Sequence, residues 1–78
     1  MNLKSLSLFQ QLATSLHFSQ TAQKNHVSPS TLSRVIQRLE EEIGCELLIR
    51  DNRSVTLTPA GEKLKAYAAT LGYTDDKI

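Results

Sequence analysis

Two hydroxyl–proline pairs, Ser28-Pro29 and Thr58-Pro59, constrain the fold more than any other feature of this sequence. In each, the hydroxyl can accept a hydrogen bond from a backbone N–H left unpaired at a helix start, and proline at the first helical position has no N–H to lose. Two helix starts are thereby fixed. After the first, Leu32, Val35, Ile36, Leu39 and Ile43 share one face, opposite Ser30, Ser33, Arg34, Gln37, Arg38 and Glu41, and Gly44 supplies a left-handed stop. After the second, Ala60, Leu64, Tyr67, Ala68 and Leu71 form an apolar stripe, and the residues from Gly72 onward lose it and are expected to fray.

Upstream, Leu3, Leu6, Phe9, Leu12, Ala13 and Leu16 recur at three- and four-residue steps, which predicts an amphipathic first helix. His17-Phe18-Ser19 breaks that period. Ser19 reads as the cap of a short second helix over residues 20–25. Between Gly44 and Thr58, two runs rich in β-formers, residues 46–50 and 54–57, flank the turn residues Asp51-Asn52-Arg53 and predict a small hairpin. The order is helix, helix, tight turn, helix, hairpin, helix. It predicts a mainly α fold, a winged helix-turn-helix with a three-helix core, a β-hairpin wing and a C-terminal linker helix.

A chain of 78 residues supports one core. The lone Cys45 permits no internal disulfide, and with only His17 and His26 beside it no zinc cluster is expected; a cytoplasmic setting follows. No apolar run approaches the ~20 residues of a membrane span, so no membrane partner is expected. Paired carboxylates, an activated nucleophile and a glycine-rich phosphate loop are all missing from the pattern, which argues against an enzyme and against a cofactor in this chain. Cys45 has no base placed to activate it, and His26 reads as an exposed turn residue.

Net charge is only +1, but its distribution is uneven. Lys24, Arg34 and Arg38 are the only charges from 24 to 39, and Glu40, Glu41, Glu42 and Glu46 follow. A helix with a polar outward face and an apolar inward one can enter the major groove of duplex DNA, with its N-terminal residues at base edges. Arg34 and Arg38 lie one turn apart, so one could pair with a guanine edge while the other neutralises a phosphate; the sequence leaves the assignment open. Ser28, Pro29, Ser30, Thr31 and Ser33 crowd the helix start, where hydroxyls and backbone N–H groups suit phosphate oxygens, with Ser30 and Ser33 also in reach of bases. Gln37 completes the face. Arg50 and Arg53 flank the hairpin tip, with Arg53 as the expected minor-groove contact. Glu40 is expected to pair with Arg50 or Lys63. A second reading is a winged-helix module that uses the same surface for a protein partner, which the near-neutral charge permits.

Phe18-Ser19, Ala22, Val27-Ser28, Leu32-Ser33-Arg34, Ile36, Leu39-Glu40, Gly44, Leu47, Arg50 and Leu57-Thr58-Pro59-Ala60-Gly61 together resemble the N-terminal domain of LysR-type transcriptional regulators. Residues 27–34, 50–53 and 55–58 look closest to a regulator of isoleucine-valine biosynthesis. The resemblance implies a DNA-binding domain over residues 1–58 and the start of a linker and dimerisation helix over 59–78. It further implies a homodimer on an interrupted palindrome, with Leu64, Tyr67, Ala68 and Leu71 at the dimer contact. An effector-binding domain for a small metabolite, absent from this chain, and a contact with RNA polymerase are implied for the intact regulator. Three positions depart from the family pattern. Pro29-Ser30 stands where glutamine then proline is usual, Asn25 where an apolar residue packs, and Leu48 where phenylalanine is common. Asn25 is expected to cap the second helix rather than pack beneath it.

Overall fold

The computed structural model describes residues 2–51 and 54–72. Among them run α1 (Leu3–Ser15), α2 (Phe18–Lys24), α3 (Pro29–Ile43), β1 (Leu48–Arg50), β2 (Val55–Leu57) and α4 (Pro59–Thr70). The core forms where α1, α2 and α3 meet. Phe9, Leu12, Ala22, Leu32, Ile36, Leu39 and Leu47 are sealed inside it, and Val27, Val35, Leu57 and Leu64 pack around its edge. The fold is the expected winged helix-turn-helix: a trihelical core, a two-stranded antiparallel hairpin, and a last helix laid chiefly against α1.

Both hydroxyl–proline starts form as the sequence requires. Ser28 Oγ accepts from the N–H of Thr31, and Thr58 Oγ1 from that of Gly61. The second helix does not start where Ser19 would put it. Leu16 takes the left-handed conformation (φ 55°), its N–H bonding to the Leu12 carbonyl, and so reverses the chain at once. Phe18 can then pack against the core as the first residue of α2. His17 holds the cap position without a side-chain bond, and Ser19 lies within the first turn.

The helix-turn-helix corner closes through a paired C-terminal motif. Val27 N–H bonds to the Ala22 carbonyl and His26 N–H to that of Gln23, with His26 left-handed at φ 59°. Asn25 ends α2 and does more than cap it: Nδ2 donates to the Thr21 carbonyl at 2.8 Å and to Gln11 Oε1 of α1 at 2.9 Å. An amide bridge therefore ties α1 to α2 where the family pattern has an apolar contact. Ser15 and Thr21 add a second hydroxyl link at 2.8 Å.

The strands are shorter than the β-rich runs, with Leu48 opposite Leu57, Ile49 opposite Thr56 and Arg50 opposite Val55. Residues 46 and 47 stay out of the ladder because their backbone groups have other partners. Glu40 Oε2 accepts from the N–H of Leu47 (2.8 Å) and of Leu48 (3.3 Å). Glu46 O accepts from Thr58 Oγ1, and Leu47 O from Thr58 N–H. The expected ion pair of Glu40 with Arg50 or Lys63 is thus replaced by a carboxylate that caps the backbone entering the wing. Gly61 completes this joint: a Cβ there would lie 2.1 Å from the Leu47 carbonyl oxygen, so only glycine lets α4 start this close to the hairpin.

Candidate nucleic-acid interface

Burial along α3 separates two faces cleanly. Leu32, Ile36 and Leu39 are buried, whereas Pro29, Ser30, Thr31, Arg34, Gln37 and Arg38 are exposed and Ser33 is half-buried at the margin. At 100° per residue, Ser30, Arg34 and Gln37 lie within about 60° of one another, the narrow face that a groove floor would meet. The apolar contacts on the opposite side hold α3 at a fixed angle to α1 and α2. That rigidity is what a base-reading side chain needs from its scaffold.

The hydroxyls at the start of α3 are already partly committed. Ser28 Oγ accepts from Thr31 N–H (3.1 Å), donates to Thr31 Oγ1 (2.9 Å) and lies 3.2 Å from Ser30 Oγ. Ser28 therefore serves first as the cap, and Ser30 and Thr31 are the exposed hydroxyls held around it. Among the described residues, Arg34 and Arg38 have no ion-pair partner, so both guanidinium groups remain available to an external anion.

At the wing, the Arg50 guanidinium carbon stands 4.5 Å from the centroid of the Phe18 ring. Stacking occupies the face of the guanidinium and leaves its in-plane N–H groups free to donate, so the ring fixes the arginine without consuming it. Reasoning from sequence assigned Arg50 to the interface but missed this support. The signal available was an aromatic residue at the α1–α2 junction, three and four positions before Thr21 and Ala22, the buried residues of α2. Asp51 braces the strand ends: its N–H donates to the Ser54 carbonyl, and its Oδ1 accepts from Ser54 N–H at 2.8 Å. Arg53, the expected minor-groove contact, lies outside the described residues.

On α4, the four expected dimer residues divide. Ala68 is fully buried within the protomer and Leu64 is half-buried against the core, so these two belong to the fold of the single chain. This corrects the placing of Ala68 at a partner surface, since the α4 stripe is turned toward α1. Tyr67 and Leu71 remain about half exposed. Cys45 is exposed. Among the described residues, no group of three His, Cys, Asp or Glu side chains could hold a metal, and no helix is long and apolar enough to cross a membrane.

A family model described as the bacterial regulatory helix-turn-helix protein, lysR family, matches residues 3–62. The HTH-type transcriptional activator IlvY of Salmonella typhimurium is 59% identical over 68 residues, which cover 87% of this chain and 23% of that protein. The resemblance carried by residues 27–34, 50–53 and 55–58 agrees with that match. The chain thus spans less than a quarter of this curated relative. Among solved structures, the BenM DNA-binding domain in complex with benA site 1 DNA has a TM-score of 0.85 at 39% identity, over 91% of this chain and 80% of that one. A CbnR DNA-binding domain complexed with DNA has a TM-score of 0.85 at 31% identity, over 91% and 82%. The chain belongs to the lysR family of bacterial regulatory helix-turn-helix proteins, as a DNA-binding domain of transcription regulation and not an enzyme.

Proposed function

We propose that this domain reads duplex DNA with α3 in the major groove and the hairpin over the adjacent minor groove, as a homodimer on an interrupted palindrome. The observation that carries the reading is the exposed face of Ser30, Arg34 and Gln37, with Arg38 exposed at its flank, on a helix whose other side is locked into the core. Arginine is suited to guanine O6 and N7, and Ser30 and Gln37 offer donors and acceptors to either purine. Pro29-Ser30 removes the glutamine usual at the helix start and sets a short hydroxyl there. The base preference at that position therefore differs from relatives that carry the glutamine.

The intact regulator, on this reading, controls a gene of branched-chain amino-acid synthesis in the cytoplasm. It answers to a small metabolite through a further domain and contacts RNA polymerase at the promoter. The 59% identity to IlvY, whose name gives it as a transcriptional activator, supports a role in transcription control.

Selection from random duplex DNA, followed by salt titration of the enriched pool, tests the proposal. Enrichment of two half-sites about one helical turn apart, with affinity falling steeply as salt rises, is the expected result. No binding of duplex DNA by the folded domain would favour the protein-interaction reading instead.

A further inference from the structure

A groove of about 300 Å³ lies between the first turn of α1 and one flank of α3, with Lys4, Ser5, Leu8, Thr31, Val35 and Arg38 in its lining. Its floor is apolar and its rim is cationic, and no carboxylate lines it. Lys4 and Arg38 are both exposed, and among the described residues neither has an ion-pair partner. Lys4 is the second residue of α1, where the helix dipole disfavours a positive charge, and no acidic residue stands in α1 to offset it. Two cations thus face one opening from two different helices.

Arg38 sits about 40° round α3 from Arg34 and nearly in line with Thr31, which turns it off the outward face toward Lys4. The major groove is about 12 Å wide, scarcely more than a helix with its side chains. A sugar–phosphate backbone therefore runs along each flank of a helix seated there. Side chains at the centre of the outward face meet base edges, and those on the flank meet phosphates. We propose that Lys4 and Arg38 form a phosphate clamp that grips one DNA strand beside α3, leaving Arg34 to the bases. The proposal rests on the placement of α3 in the major groove. It adds a residue from α1 to the interface and decides between the two arginines of α3.

The test uses the whole 78-residue chain and two duplexes, the enriched sequence and a scrambled one, each titrated against salt. Lys4→Gln and Arg38→Gln should each weaken binding several-fold on both duplexes alike. Each should also reduce the slope of log affinity against log salt by about one, while the ratio between duplexes holds. Lys4→Arg should restore the slope, and Arg34→Ala should instead collapse the ratio. If Lys4→Gln, folded by circular dichroism, keeps the parental affinity and slope, the clamp is overturned while the placement of α3 stands. A change of ratio with Arg38→Gln would overturn it equally. If the parent chain binds neither duplex, the placement of α3 fails and the clamp with it.

Discussion

Gly61 shows how much of this fold turns on single atoms. It lies in the first turn of α4, where alanine would normally be the better helix former, and the Leu47 carbonyl fills the space a Cβ would take. Relief requires backbone movement, because the obstructing atom is main chain and itself accepts from Thr58 N–H. Gly61→Ala should therefore destabilise the domain by about 2–3 kcal/mol, in the upper range for an overpacked site. Chemical denaturation would measure the loss, and an unchanged midpoint would show that α4 can pull away from the hairpin at little cost. The Thr58-Pro59-Ala60-Gly61 run was legible as a helix start, but the reason for its glycine was not, since the clash involves a backbone fourteen positions earlier in the chain. Glu40 was misread for the same reason. A carboxylate in a chain that also offers Arg50 and Lys63 suggests an ion pair, whereas burial of the Leu47 and Leu48 N–H groups, invisible in a sequence, creates the stronger demand for an acceptor.

At the level of elements, caps gave α3 and α4 nearly to the residue, because each has its own start chemistry, and the apolar period alone gave α1. The α1–α2 junction and the hairpin were less legible. Both are set by contacts between segments: Phe18 seeking the core fixes the start of α2, and hydrogen bonds from residues 46–47 to α3 and α4 shorten β1. Phe18 also connects α2 to the wing through Arg50, which gives the pairing a functional consequence. Removing the ring should free the guanidinium to sample orientations that bind DNA poorly. An exposed cation–π contact contributes roughly 0.5–1 kcal/mol, or about a two- to five-fold change in affinity. Phe18→Leu, which keeps an apolar side chain against the core, should weaken DNA binding by that factor, and Phe18→Tyr should not. In an Arg50→Ala background the Phe18→Leu effect should vanish. A loss that persists there would mean the ring acts through the fold and not through the arginine.

For the whole molecule, the question is how two such domains meet. With Ala68 buried in the protomer, Tyr67 and Leu71 are the members of the α4 stripe that stay exposed, each at about half its surface. Covering both on two protomers removes on the order of 400 Å² from water, an area estimate that follows the size of aromatic and aliphatic side chains. At ~25 cal/mol per Å² that contributes roughly 10 kcal/mol. Association itself costs ~4–15 kcal/mol, so the two terms nearly cancel. The chain alone should therefore be largely monomeric at micromolar concentration and should pair when two half-sites hold the copies side by side, because the duplex then supplies the proximity. Tyr67→Ser with Leu71→Ser should abolish cooperative filling of a two-half-site duplex, leaving single half-site affinity and thermal stability unchanged. Sedimentation equilibrium with and without DNA, beside binding curves on one and two half-sites, distinguishes the outcomes. Intact cooperativity in the double variant would place the contact between protomers elsewhere on the domain.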